Sequence, residues 1–169
     1  GVFAAGDINF ELKYSTVAEN EASIEGGGLV ANLSTPCTVA RSLFDLNVGG
    51  ASNTTQDIRS VGFTPVDCEV DDSLLAGTDS EFTDGGGNIL GQASLIEPLA
   101  DNGGNGGRTH ALPQNSPAID AAGTSGTFTP DNDQRGPGFP REFGAGLDMG
   151  AFEFQVIIDE IFNDRFESP

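Results

Sequence analysis

Three groups of side chains in this sequence could do chemistry. Carboxylates crowd residues 67–84, at Asp67, Glu69, Asp71, Asp72, Asp79, Glu81 and Asp84. Calcium takes six to eight oxygens from carboxylates and carbonyls, so Asp67, Asp71, Asp72, Asp79 and Asp84 form a candidate calcium site. Neither the EF-hand spacing nor the Gly-Gly-x-Gly-x-Asp nonapeptide accompanies them. A second group is Asp120, Asp133, Arg135, Arg141 and Asp148. Arginine bridges carboxylates bidentately, so these five read as a structural salt network. The third group is the pair Cys37 and Cys68. No catalytic set emerges. The single histidine, His110, has no Ser-His-Asp or Cys-His arrangement around it, and Arg41 lacks a paired-Asp motif in the following repeat. Catalytic residues are therefore expected to be absent.

The elements that must position these groups come from a degenerate repeat. Residues 12–20, led by Leu12, align with residues 39–47, led by Val39, and with residues 70–78, led by Val70. A shorter echo follows at Ser94-Leu95-Ile96. The aligned serines, Ser15, Ser42, Ser73 and Ser94, are 27, 31 and 21 residues apart. Such spacing indicates a solenoid whose loops vary in length, each repeat burying its apolar row only by stacking on the next. Cys37 and Cys68 each fall five residues before an aligned serine. They hold equivalent positions in consecutive repeats, where strands about 4.8 Å apart suit a disulfide. Two free buried thiols or a metal site are the alternatives. Gly26–Gly28, Gly49-Gly50, Gly85–Gly87 and the stretch 102–107 read as tight corners. None ends in the Lys-Ser/Thr of a phosphate loop.

Composition narrows the function classes. Seven Lys+Arg against 26 Asp+Glu give a net charge of −19 in 169 residues. A nucleic-acid binder needs a basic stripe, and this surface also repels anionic membrane. Glycine numbers 24 without a collagen period, and long helical windows are missing, so the chain reads as all-β. It contains no run of 18 apolar residues that would read as a helical membrane span. It opens at Gly1 without an initiator methionine or export signal, which suggests a processed or truncated product. A disulfide would imply an oxidising compartment.

Five short motifs near the end occur in a fixed order: Leu99-Ala100-Asp101-Asn102-Gly103-Gly104, Thr109-His110-Ala111-Leu112, Ser116-Pro117-Ala118-Ile119-Asp120, Asp133-Gln134-Arg135-Gly136 and Asp148-Met149-Gly150-Ala151-Phe152-Glu153. Over residues 88–154 the chain resembles the choice-of-anchor Q family of bacterial secreted proteins. That resemblance implies a right-handed parallel β-helix and a surface-associated role, with His110 packing in the final turn. The expected organisation is parallel β-helix turns over 1–122, an irregular C-terminal cap over 123–154 covering the end of the coil, and an apolar C-terminal tail strand over 155–169.

The tail holds Val156, Ile157, Ile158, Ile161 and Phe162, a β-prone stretch that would be an aggregation hazard if left exposed. It packs along its own coil or adds to a neighbouring subunit. Val2, Phe3, Ile8 and Phe10, at the open start of the coil, are the candidate receptor. Head-to-tail addition of this kind does not close and makes a fibre. The sequence therefore reads as a secreted, extracellular or cell-surface structural protein and a homopolymer, non-enzymatic, without membrane insertion and without a cofactor unless calcium binds. The competing readings are a glycan-binding adhesin module and a polysaccharide lyase or hydrolase. The aromatic set of 12 Phe, one Tyr and no Trp disfavours sugar stacking.

Overall fold

The computed structural model describes residues 1–24, 26–50, 54–62, 67–123 and 129–156. The chain is all-β, and the described residues contain no helix. The strands are β1 (Val2–Gly6), β2 (Phe10–Lys13), β3 (Thr16–Ala18), β4 (Leu29–Leu33), β5 (Cys37–Ala40), β6 (Leu43–Asp45), β7 (Val48–Gly49), β8 (Thr54–Thr55), β9 (Ile58–Ser60), β10 (Glu69–Asp71), β11 (Leu74–Leu75), β12 (Thr83–Gly86) and β13 (Ile89–Leu90). Three sheets are wholly parallel, in the orders β1-β4-β9, β2-β5-β10-β12 and β3-β6-β11-β13. Strands β7 and β8 form a small antiparallel pair. Each successive tier of chain thus gives one strand to each sheet, and the fourth tier gives none to the first sheet.

The register matches the repeat: Leu12 pairs with Val39 and Val39 with Val70, while Thr16 pairs with Leu43 and Leu43 with Leu74. A polar corner between the second and third sheets fixes it. Tyr14, Arg41 and Asp72 all have left-handed backbone, with φ of 49°, 50° and 46°. Such backbone costs about 1–2 kcal/mol per non-glycine residue. The residue after each is a serine whose hydroxyl donates to the carbonyl two residues back, at 2.8–3.0 Å. The hydroxyls of Ser42 and Ser73 also accept the N–H of the serine in the tier before, from Ser15 at 3.2 Å and from Ser42 at 3.0 Å. The column ends with the Ser73 N–H donating to Asn88 Oδ1 at 2.9 Å. The expected echo at Ser94 is therefore corrected. The last tier is only 15 residues long at this corner, and Asn88 takes the acceptor position. Ser94 instead donates from its N–H and its hydroxyl to Asp45 Oδ2.

Inward residues of the three sheets meet in one core that includes Leu29, Ala31, Val39, Phe44, Ile58, Val70 and Leu75. Cys37 and Cys68 lie buried in it, bonded, with their Cα atoms 4.4 Å apart. The third sheet is apolar on its outer face as well. There Leu43 and Leu74 pack against Leu112, Ala118, Leu147, Met149 and Phe152. Burial on both faces is characteristic of parallel sheets. After Leu90 the described chain forms only isolated bridges, although parallel turns were expected as far as residue 122. The C-terminal segment lies along the side of the third sheet rather than over the end of the stack. Gly150 N–H donates to Arg41 O at 3.0 Å, and Arg41 Nε donates to Gly123 O at 2.7 Å. A Cβ at Gly123 would run into the Asp72 carboxylate, which explains glycine there.

Two stability outcomes follow. Ser73→Ala strands the buried N–H of Ser42 and should cost roughly 1–3 kcal/mol in denaturant melts. Reducing the 31-residue disulfide loop should cost about 3–4 kcal/mol on the chain-entropy view, read as a lowered melting temperature in dithiothreitol.

Candidate functional site

The five terminal charged residues do not form one network. Arg135 holds Asp133 through Nε and Nη2, at 2.9 and 2.7 Å to Oδ2. Its guanidinium lies between the rings of Phe139 and Phe152, 4.1 and 3.9 Å from their centroids. Its Nη2 also donates to Glu153 O at 2.6 Å. Asp120 and Asp148 instead tie backbone. Asp120 Oδ1 accepts the N–H groups of Ala145 and Gly146, while Asp148 accepts those of Asp120 and Phe154. These contacts brace a segment whose described residues form only isolated bridges.

Arg141 is a second centre. Its side chain is 1% exposed, and it faces Glu153, 0% exposed, at 3.8 Å between Nε and Oε2. Its Nη2 donates to Asp148 O at 2.6 Å, and its guanidinium sits 4.9 Å from the Tyr14 ring centroid. Nε and Nη1 have no hydrogen-bond partner among the described residues. Glu153 accepts the N–H groups of Phe143 and Asp148. Burial, reinforced by the nearby Asp148 carboxylate, pushes Glu153 up to about 8. Burial also raises Asp148 and lowers Arg141, whose neighbour Glu153 opposes the shift. Glu153 and Tyr14 were not singled out for this network in the sequence. The available signal was a lone carboxylate between Phe152 and Phe154, since an acid in an apolar run is buried only with partners.

Beside this centre a cleft of about 830 Å3 opens between the first tier and the C-terminal segment. Lys13, Tyr14 and Thr16 form one side, and Asn132, Gln134 and Arg141 the other. A smaller cavity of about 340 Å3 shares Thr16, Gln134 and Ala151 with it and continues past Ala18 to Arg108 and His110. Together they make a groove along β3, the edge strand of the third sheet. His110 Nδ1 lies 2.9 Å from Glu97 O.

The expected calcium cluster is not assembled. Among the described residues no three of His, Cys, Asp or Glu converge as metal ligands. The carboxylates face different partners. Asp72, at a left-handed corner, is 3.8 Å from Arg41, and Asp84 accepts from Gly86 N–H and the Asn88 amide. Asp71 lies on β10, where burial and then Glu69 raise its carboxyl. Of the proposed assembly residues, Phe3, Ile8 and Val156 are 69%, 52% and 56% exposed. Val2 and Phe10 are half-buried against the core. Ile157, Ile158, Ile161 and Phe162 lie outside the described residues. No family model, curated protein or solved structure matches the chain.

The raised carboxyls set a pH dependence. Glu153 binds its proton more tightly folded than unfolded, so its contribution is complete below about 4.5 and is lost as pH rises through about 8. Asp148 acts in the same direction. The melting temperature should therefore fall between pH 5 and pH 8, and Glu153→Gln should flatten that slope. A slope unchanged in the variant would remove Glu153 as its source.

Proposed function

We propose that this protein is a secreted, non-enzymatic structural subunit built as a right-handed parallel β-helix, similar to choice-of-anchor Q proteins, and that it assembles with itself by strand addition. The disulfide supports an oxidising, extracellular setting. The acidic surface, at −19, supports a solvated exterior rather than a nucleic-acid partner. One observation carries the assembly reading. All three parallel sheets stop on the same side, at β1, β2 and β3. In β1 the Val2 N–H donates to Gly28 O, so by the alternation of a parallel ladder Phe3 and Ala5 direct theirs outward. A row of outward N–H and C=O groups is a template for another strand. The apolar tail around Val156 supplies β-prone residues to meet it, giving a head-to-tail contact that does not close.

A glycan-binding role is the second reading, favoured by the Tyr14, Asn132 and Gln134 side chains in the large cleft. Negative-stain electron microscopy and sedimentation separate the two. The full chain should form elongated particles, and deletion of residues 157–169 should leave a folded monomer. A full chain that stays monomeric while binding an oligosaccharide saturably would replace the first reading with the second.

A further inference from the structure

Three edge strands lie on the open side, and among the described residues β3 is the one that lines both the large cleft and the smaller cavity beside it. The C-terminal segment reaches beyond the first tier and forms a wall beside it, so Thr16 and Ala18 line a channel with Arg108, His110 and Gln134 opposite. The ladder to β6 uses Ser15 and Glu19: Leu43 N–H donates to Ser15 O and Glu19 N–H to Asp45 O. Main-chain groups in a parallel strand alternate in direction, so Thr16 and Ala18 point theirs away from β6, into the channel. On β1, by contrast, Phe3 is 69% exposed and only Val2 borders the same channel.

Charge distinguishes the channel too. On a chain of net charge −19 it gathers Lys13, Arg108, Arg141 and the only histidine. Its own carboxylates are matched: Glu11 with Lys13 at 2.8 Å and Asp133 with Arg135 at 2.7 Å. At its inner wall the buried Arg141 keeps two N–H nitrogens without hydrogen-bond partners among the described residues. The occupant that fits is an extended segment carrying carboxylates. Residues 156–169 of this chain alternate apolar stretches with four of them, Asp159, Glu160, Asp164 and Glu167, against one arginine.

Resting on the assembly reading above, we propose that the acceptor is the β3 groove and that the occupant is the C-terminal segment 156–169 of a second copy. The incoming strand pairs with the main chain of Thr16 and with the Ala18 N–H, since Ala18 O already accepts from Asn20 Nδ2 at 3.0 Å, and its acidic side chains face Arg108. Backbone pairing supplies the affinity in such strand addition, and the groove wall supplies the selectivity.

The probe is a fluorescent peptide of residues 156–169, titrated by anisotropy into the full chain below its assembly concentration. Wild type should bind saturably, and binding should weaken as salt rises from about 0.05 to 0.5 M. Ala18→Pro removes an outward N–H without touching the β6 ladder and should weaken binding roughly tenfold or more, while Ala5→Pro on β1 should leave it unchanged. Arg108→Glu should weaken binding and its salt dependence, and it decides the matter if Ala18→Pro does not fold. A peptide with Asp159→Asn and Glu160→Gln should bind less tightly. No binding up to about 1 mM, or equal binding by wild type and Arg108→Glu, overturns the groove. If the peptide binds at β3 but sedimentation shows only monomer, the groove stands and the assembly reading falls. If chains assemble and only Ala5→Pro stops them, assembly stands and the acceptor is β1.

Discussion

The constraint on which the fold depends is the corner that precedes each aligned serine. A left-handed residue turns the chain from the second sheet into the third. The serine that follows both closes its own turn and receives the N–H of the tier before. Neither half works alone. Without the hydroxyl, a buried donor is orphaned; without the turn, the third strand does not meet its partner. Once the corner is fixed, the rest of the register is fixed. Leu12, Val39 and Val70 align on one side of it, and Val17, Phe44 and Leu75 align on the other. A slip of one residue would exchange the two faces of every strand. A second polar column reinforces the far end of the third sheet. Asn20 donates to Asn47 Oδ1, and Asn47 donates to Asp57 and to Val17 O. Asp57, raised by its burial, also takes the Gly77 N–H.

Much of this was legible in the sequence because stacking forces equivalent residues into equivalent places. The three nine-residue repeats and the matched cysteines carry the parallel register directly. The errors have physical causes. Ser94 resembled the serine column because it, too, precedes two apolar residues, but an asparagine side chain offers the same acceptor, and Asn88 reaches the column with a shorter tier. The acidic cluster is close in sequence, yet consecutive strand and corner residues point in different directions. Proximity along the chain therefore did not become convergence in space. The C-terminal segment was expected as a cap at the end of the stack, whereas it covers Leu43 and Leu74. They are interior, but on the outer face of the third sheet, and periodicity does not distinguish the two faces of a strand buried on both.

The charged residues of the terminal motifs show a similar split. Their types announced ion pairing, and Arg135 with Asp133 is such a pair. Their partners were less legible. Asp120 and Asp148 serve backbone N–H groups because an irregular segment has few ladder partners to offer. Arg141 depends on Glu153 and on Tyr14, which is more than a hundred residues away and stands at the left-handed corner of the first tier. Tyrosine at that corner, in place of a strain-free glycine, supplies the ring that faces the buried guanidinium. The corner that sets the register thus also shapes the cleft.

The C-terminal segment has a mechanical consequence. Ladder hydrogen bonds run from tier to tier, so a pull along that direction loads each seam in turn. The seam between the second and third tiers carries a covalent bond. The seam between the first and second has no such staple, but Ala151 N–H holds Thr16 Oγ1 on one side of it and Gly150 N–H holds Arg41 O on the other. Two adjacent residues of an irregular segment therefore splint a joint that the disulfide does not cross.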